Sequence, residues 1–333
     1  MSRKARIVLC VAALLAFGAG CSGEREEPPV QGTDEALERG EVPQHWAPPG
    51  EAPPEPPPAR RETRSRLSGY ATPAEILRLD SPRYPEGVVV VALPLDYYDR
   101  PDKFYPLVIA FGGAGECARP PEQGALAWMG YYKADEAVKA LEDNRLERED
   151  FRELVSEEEL RGFNEKLRSH PYEGVILACP SSPLLSRDLP LDSPDYEAFL
   201  MEEALPALTS LYRVDPGRVG VDGVSMGGAR SMYYGLKHPQ VFMRTGAVQG
   251  AFSPRSLYED LVRKNRDALL ERRIQIVTSD GDSLRGSSLW MHGLLEKHGI
   301  PHRFLILTGP HDYVFNQGPG SLALLLFHGR RAE

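Results

Sequence analysis

The sequence predicts an α/β fold, in which a mainly parallel sheet is flanked by helices on both faces. Three observations support this prediction. Apolar runs alternate with helical stretches along the chain from about residue 67 onward. Several of these runs are continuously apolar, as expected for strands that are buried on both faces of a parallel sheet. One run leads into a Gly-Val-Ser-Met-Gly segment, residues 223–227, which a helical stretch follows.

The first twenty residues have the features of a signal peptide for export. The basic start MSRKAR precedes the apolar run IVLCVAALLAFGAG, which is too short to span a bilayer comfortably. Small residues then lead to Cys21, so residues 1–20 resemble a bacterial lipoprotein signal, after which this cysteine becomes the lipid-modified N-terminus. Position 18 holds glycine where such signals most often have leucine, and ordinary secretion with cleavage nearby is the alternative. The resemblance implies a membrane-anchored lipoprotein on the periplasmic or cell-surface side.

Residues 21–66 are rich in proline and in charged residues and contain few branched or aromatic ones. Such a segment cannot bury enough apolar surface to fold alone, and its prolines favour an extended chain. We therefore expect a disordered tether, followed by a folded domain at 67–333.

Seven strands are predicted in the folded domain. They are GVVVVALP (87–94), PLVIAF (106–111), GVILAC (174–179), RVGVDGV (218–224), TGAVQG (245–250), IQIVTS (274–279) and RFLIL (303–307). Helices are predicted at 195–212, 229–238 and 287–299, from apolar spacing or from a proline or glycine that ends the pattern. The formal net charge of −9 argues against a nucleic-acid-binding protein, which needs a basic surface.

Residues 116–172 separate two of these strands by far more than a usual connection. The segment is strongly helical in pattern and highly charged, so it is predicted to be an inserted helical cap or lid whose charges face solvent. It contains Trp128, Met129, Tyr131 and Tyr132, which are expected to pack against the domain rather than to line an acyl or aromatic pocket.

The segment Gly223-Val-Ser225-Met-Gly227 lies between a predicted strand and a predicted helix. This is the arrangement of a nucleophile elbow, in which small flanking residues permit the sharp turn that lifts the serine above the sheet edge. An alcohol is a poor nucleophile at neutral pH, so a base must take its proton and an acid must orient that base.

His311 is the predicted base among the eight histidines. It lies just past the last predicted strand, in a Gly-Pro loop that can place an imidazole over the sheet edge. Asp280 and Asp282 both follow the penultimate strand, and an Asp-Gly pair also favours a plain turn. From the residues alone, either aspartate could be the acid.

These features resemble the α/β-hydrolase superfamily, specifically the esterase branch that includes esterase D, feruloyl esterases and mycolyltransferases. The resemblance covers roughly residues 80–333 and depends on YRVDPGRVGVDGVSMGGARSMYYGLKHPQVF around Ser225 and on the Gly-x-His-Asp-aromatic segment 309–313. In this branch a glycine follows the acid after about seventeen residues, and Asp282 lies 17 residues before Gly299. The resemblance therefore favours Asp282, with Asp280 as the alternative acid.

The resemblance also implies an oxyanion hole made of two backbone amides. One is the amide of Met226, directly after the serine at the start of a helix, whose dipole favours negative charge. The other is the amide of Gly113 in the loop FGGAGE, where relatives often have histidine in place of Phe111. A simple turn would also explain these glycines.

The predicted function is that of an exported serine hydrolase that cleaves small-molecule or glycan-linked carboxylic esters through an acyl-enzyme intermediate. The alternatives are acyl transfer of the mycolyltransferase type, a peptidase, and a non-catalytic binding lipoprotein on the same scaffold. No metal or cofactor is expected, because the sequence contains no H-E-x-x-H, no paired C-x-x-C and no phosphate-binding glycine motif.

Cys117 and Cys179 would remain as an even pair in an exported chain. Each lies at or beyond the end of a predicted strand, and the two strands are expected to be neighbours. We therefore predict a disulfide between them.

Overall fold

The computed structural model describes residues 62–186 and 190–330. The strands are β1 (Glu62–Leu67), β2 (Ala74–Leu79), β3 (Val88–Ala92), β4 (Tyr105–Phe111), β5 (Ile176–Pro180), β6 (Val214–Gly223), β7 (Arg244–Val248), β8 (Arg273–Gly281) and β9 (His302–Pro310). The signal peptide 1–20, Cys21 and the tether as far as residue 61 lie outside the described residues, so what was predicted for them stays a prediction.

The nine strands form one sheet in the order β1-β2-β3-β5-β4-β6-β7-β8-β9. The pairs from β1 to β5 are antiparallel, and the pairs from β5 through β4 to β9 are parallel. All seven predicted strands are present. Every residue of β3, β4, β5 and β7 is buried, as their continuously apolar runs predict. The predicted fold class is confirmed.

Two strands were not predicted, and they move the start of the folded domain. The tether was expected to end at Arg66, whereas β1 begins at Glu62. β1 is exposed along nearly its whole length, so its sequence carries no apolar pattern, and its backbone is held by antiparallel pairing with β2. β2 includes Glu75 and Arg78 among its six residues, which hides the pattern of a buried strand.

The helices are α1 (Ala114–Cys117), α2 (Pro121–Ala125), α3 (Ala134–Leu141), α4 (Glu157–Ser169), α5 (Pro194–Ala198), α6 (Leu205–Leu211), α7 (Met226–Lys237), α8 (Arg255–Leu269), α9 (Arg285–Lys297), α10 (Tyr313–Phe315) and α11 (Ser321–Gly329). Single helical turns lie at Ala127–Tyr131, Glu149–Phe151, Phe199–Ala204 and Asn316–Gly320. The three predicted helices correspond to α5 with α6, to α7 and to α9. Within the described ranges, every helix is too short or too polar to cross a bilayer.

The predicted insertion, residues 116–172, is helical, but it is not a separate lid. Its apolar side chains belong to one buried cluster with residues of the sheet and of α11; Trp128, Leu141 and Phe151 are at most 1% exposed. Its outer side holds exposed ion pairs such as Arg148 with Glu153 at 3.0 Å, as predicted for a solvated face. The segment therefore forms much of the helical layer on one face of the sheet.

Alternate residues of β4 show that helices flank the sheet on both faces. Val108 and Ala110 lie in the cluster with the insertion. The ring of Phe111 points the other way, with its centre 5.9 Å from that of Tyr234 in α7. Since α7 begins directly after Ser225, this packing fixes the helix that starts at the predicted nucleophile.

The predicted disulfide is wrong: Cys117 and Cys179 are both free thiols. The expectation that their strands are neighbours is correct, since β4 pairs with β5. However, α1 carries Cys117 past the end of β4, where its Sγ lies 3.6 Å from Oγ of Ser182, whereas Cys179 is buried in the cluster beneath the insertion. Burial raises the pKa of both thiols, which therefore stay protonated.

Candidate active site

Three parallel strands, β6, β8 and β9, end at one edge of the sheet. The predicted site residues that follow them within two positions are Ser225, Asp282 and His311. Ligand and catalytic residues of open parallel sheets lie outside the carboxyl ends of the strands. The fold thus brings three residues that are distant in sequence to one place.

Ser225 occupies a sharp turn between β6 and α7. Its φ of 57° and ψ of −115° are sparsely populated by residues other than glycine. A Cβ atom added to Gly223 would lie 2.3 Å from the carbonyl oxygen of Gly227, and one added to Gly227 would lie 2.5 Å from that of Gly112. Both glycines are sterically required, so the turn has the construction of a nucleophile elbow.

A continuous chain of hydrogen bonds joins the three side chains. Nε2 of His311 lies 3.1 Å from Oγ of Ser225, and Nδ1 of His311 lies 2.7 Å from Oδ1 of Asp282. The Asp282 side chain is fully buried, whereas that of His311 is 23% exposed. An imidazole between a serine and a buried carboxylate can take the serine proton and hold the resulting charge.

The two candidate acids differ in what they contact. Asp282 also accepts hydrogen bonds from Oγ1 of Thr278 and from the amide of Leu284, both at 2.7 Å, so its carboxylate is fixed in one orientation. Asp280, near the end of β8, is exposed and accepts a hydrogen bond from the amide of Gly309 at 3.0 Å. Its contact stabilises the end of β9 rather than the imidazole.

Gln249 lies at the site, and no sequence pattern predicted it. It directly follows β7 and is fully buried, with a φ of 49°. Its Nε2 donates to Oγ of Ser279 at 2.7 Å and to the carbonyl oxygen of Pro310 at 3.0 Å. Pro310 precedes His311, so this one side chain ties the end of β8 to the loop that carries the imidazole.

The two predicted oxyanion donors both lie beside Ser225, but they differ in whether the amide already has a hydrogen-bond acceptor. Met226 is the first residue of α7, where amides have no acceptor within the helix. A Cβ atom added to Gly113 would lie 3.7 Å from Cβ of Ser225, so this glycine also borders the site. Its amide, however, donates to the hydroxyl of Tyr132 at 2.9 Å.

Tyr132 belongs to a buried network centred on Glu116, which is 3% exposed. The hydroxyl of Tyr132 donates to Oε2 of Glu116, and that of Tyr313 donates to Oε1 at 2.5 Å. Burial, as the main cause, and the carboxylate of Glu116, as the second, raise the pKa of Tyr132 well above its usual range and the pKa of Tyr313 to about 12. Both phenols therefore stay protonated at neutral pH, and the network joins the loop of Gly113 to the loop of His311.

This network was not predicted, because its members are separated by up to 197 positions and carry no motif. Tyr132 was expected to pack against the domain rather than to line a pocket, yet its hydroxyl also accepts a hydrogen bond from the amide of Gly113. Trp128 does behave as expected: it is buried, and its Nε1 donates to the carbonyl of Phe111 at 3.1 Å. A cavity of about 190 Å³ lies beside the network, lined in part by Glu116 and Arg119.

Residues 191–301 match a protein family described as "Putative esterase". The matched segment contains Ser225 and Asp282 and ends before His311. Among curated proteins, none matches the chain.

Several solved structures are similar to this chain in fold. A ferulic acid esterase is 17% identical, with a TM-score of 0.57, over 80% of this chain and 97% of its own. An S-formylglutathione hydrolase from Agrobacterium tumefaciens is 15% identical, with a TM-score of 0.53, over 80% and 97%. A fluorophosphonate-binding serine hydrolase from Staphylococcus aureus is 13% identical, with a TM-score of 0.51, over 80% and 98%.

At these identities the structural likeness establishes the fold, and the predicted α/β-hydrolase fold is confirmed. The family match over residues 191–301 confirms the predicted resemblance to esterases and the prediction of an ester-hydrolysing enzyme.

Proposed function

We propose that this protein is an exported serine hydrolase that cleaves carboxylic esters through an acyl-enzyme intermediate. The observation that carries the proposal is the hydrogen-bonded chain from Ser225 through His311 to Asp282, with distances of 3.1 and 2.7 Å. A candidate nucleophile, a candidate base and a candidate orienting acid each follow a strand that ends at the same edge of the sheet.

The reaction has two halves. Oγ of Ser225 attacks the acyl carbon while its proton passes to Nε2 of His311, and the electron pair of the carbonyl bond moves onto the oxygen. When this tetrahedral oxyanion collapses, the bond to the alcohol oxygen breaks, and His311 gives its proton to the departing alcohol. Water then attacks the acyl carbon, gives a proton to His311 and releases the acid, and His311 returns the proton to Ser225.

Asp282 keeps the imidazole in the tautomer that this cycle needs. Its carboxylate accepts a hydrogen bond from Nδ1–H, which keeps the proton on Nδ1, so Nε2 carries no proton and can accept one from the serine. The buried carboxylate also stabilises the imidazolium that forms, because opposite charges attract strongly where water is excluded.

The amides of Met226 and Gly113 are proposed to bind the oxyanion. Met226 offers a first-turn amide at the positive end of α7. The amide of Gly113 donates to Tyr132 in the present structure, so it must exchange that hydroxyl for the substrate oxygen during the reaction. The small cavity beside Glu116 is proposed to receive one part of the ester, and its 190 Å³ favours a compact group.

A panel of esters tests the activity. The purified protein is assayed with p-nitrophenyl acetate and butyrate, methyl ferulate and S-formylglutathione. The last two are chosen because two of the similar structures are named a ferulic acid esterase and an S-formylglutathione hydrolase. Turnover of at least one substrate, abolished by Ser225→Ala, is expected. A protein that turns over none of them, or a Ser225→Ala variant with full turnover, contradicts the proposal.

Export and lipid attachment at Cys21 are part of the same proposal and are supported by the sequence of residues 1–20. Cells expressing the protein are labelled with a fatty-acid analogue and compared with cells expressing Cys21→Ala. Label in the first and none in the second is expected. Label that survives the substitution, or its absence from the unmodified protein, contradicts lipid attachment and leaves the esterase proposal unaffected.

A further inference from the structure

A cleft of about 780 Å³ lies at the edge of the sheet opposite to Ser225. It is formed where β4, β6, β7 and β8 begin, and Arg244 and Arg273 are the first residues of β7 and β8. β8 runs from this cleft to the residue before Asp282, so at about 3.3 Å per residue the two edges are roughly 26 Å apart. The cleft is therefore separate from the proposed catalytic machinery.

Cationic side chains dominate the lining of this cleft. Six cationic side chains line it: Arg100, Lys103, Arg218, Arg244, Arg272 and Arg273. Three acidic side chains also line it: Glu173, Asp215 and Glu271. The lining thus has three more cationic than acidic side chains, and one of the cationic ones, Lys103, is ion-paired with Asp96 at 2.8 Å. The formal net charge of the whole chain is −9. A concave site of one sign, in a protein of the opposite overall sign, attracts and concentrates ligands of complementary charge.

The fold holds two of these arginines together despite their repulsion. Arg244 and Arg273 are paired in register on neighbouring parallel strands. Arg244 is 7% exposed, and burial, followed by the charges of Arg218, Arg273 and Arg330, lowers the pKa of Arg244 to about 10. Like charges at short range cost stability in a site with little water. A bound anion would relieve that cost.

The partners of Arg244 orient its guanidinium group without cancelling its charge. Arg244 donates to the carbonyl oxygens of Phe327, His328 and Arg330, at 2.5 to 2.9 Å. Arg218 is ion-paired with Glu173 at 3.1 Å, but its buried Nε has no hydrogen-bond partner within the described part of the chain. The cleft is therefore preorganised at Arg244, and the exposed side chains of Arg100 and Arg273 are accessible to a ligand.

We propose that this cleft binds two or more phosphate groups at once, carried either by one anion or by neighbouring headgroups. Guanidinium groups match phosphate oxygens with paired hydrogen bonds, and several of them converge here. The volume lies within the range of about 300–1,000 Å³ that is usual for small-molecule sites. Phe104, 59% exposed, forms part of the wall and offers an apolar surface to the group that carries the phosphates. The phosphates belong either to a soluble molecule or to lipid headgroups.

The test uses the full chain and two probes. Inorganic tripolyphosphate is titrated by calorimetry. Vesicles of phosphatidylglycerol are compared with vesicles of phosphatidylcholine by co-sedimentation, in a Cys21→Ser background so that lipid on this residue does not contribute. The double substitution Arg100→Ala/Arg273→Ala, at two exposed positions of the cleft, is expected to weaken binding about tenfold or more.

The matched control is Arg161→Ala/Arg263→Ala, which removes the same charge from exposed positions on α4 and α8. It is expected to bind like the unmodified protein, and both double variants are expected to keep ester turnover and the unfolding midpoint. Binding of tripolyphosphate alone assigns a soluble ligand, and preference for phosphatidylglycerol vesicles assigns a headgroup. Equal losses in the two double variants, or no binding of either probe, would overturn the proposal.

Discussion

Nδ1 of His311 lies 2.7 Å from Oδ1 of Asp282, across 29 positions of sequence. The carboxylate is fully buried and is held by Thr278 and by the amide of Leu284, so it cannot follow the imidazole if the ring turns. The ring is therefore oriented by a fixed group, and its other nitrogen faces Ser225.

Ser225→Ala is expected to abolish covalent labelling by a fluorophosphonate probe and to lower kcat about 10⁶-fold, because the members of such a triad act as a unit. Labelling is followed by mass spectrometry and turnover with p-nitrophenyl esters. Ser182→Ala is the control, since that serine lines the small cavity beside Glu116 and has its Oγ 3.6 Å from Sγ of Cys117. Labelling that persists in Ser225→Ala would place the nucleophile elsewhere.

Asp282→Asn is expected to lower kcat about 10⁴-fold in a folded protein, since an amide at this position favours the wrong tautomer of His311. Asp280→Asn, the matched substitution two residues earlier, is expected to change kcat little, because Asp280 contacts the amide of Gly309. Steady-state kinetics of both variants decide the matter. The opposite ranking would transfer the acid to Asp280 without changing the fold.

Much of this site was predictable because its signals are local. The strand-turn-helix around Ser225 and the loop position of His311 can be recognised in short windows of sequence. The choice between Asp280 and Asp282 could not be made from turn chemistry, since both follow the apolar run 274–279; in the structure Asp282 contacts His311, whereas Asp280 contacts the amide of Gly309.

What the sequence did not predict depends on contacts between distant residues or on a missing pattern. Gln249 and the network of Tyr132, Glu116 and Tyr313 act through pairings across as many as 197 positions. The exposed strand β1 has no apolar period, so its order depends on its neighbour. The disulfide was inferred from the even pair of cysteines in an exported chain and from the strand ends, but helix α1 moves Cys117 away from Cys179.

Gln249→Met is expected to lower kcat by about tenfold to a hundredfold with little change in KM, because the loop of His311 loses its tie to β8 and a displacement of about 1 Å is costly. Gln275→Met is the matched control: Gln275 is also buried, but its Nε2 donates to the carbonyl of Ala323, away from the site. Both variants should lose stability in urea. Equal kcat in the two would assign Gln249 a purely structural role.

Tyr132→Phe is expected to leave kcat/KM at least as high as in the unmodified protein, because the amide of Gly113 is then free to bind the oxyanion. The same change should lower the free energy of unfolding by about 1–3 kcal/mol, since buried Glu116 loses a donor. Tyr131→Phe, at the neighbouring tyrosine, is the control. A loss of about 10²–10³ in kcat would instead make the Tyr132 hydroxyl itself an oxyanion donor.

The positive φ of Ser225 serves catalysis at a cost in the stability of the folded protein. A non-glycine residue held in such a conformation costs about 1–3 kcal/mol, which the surrounding sheet and helices must offset. Ser225→Gly should therefore give a protein that melts at a higher temperature and does no chemistry. Such a variant would be a durable, inert binder, suited to trapping the natural ester intact for its identification.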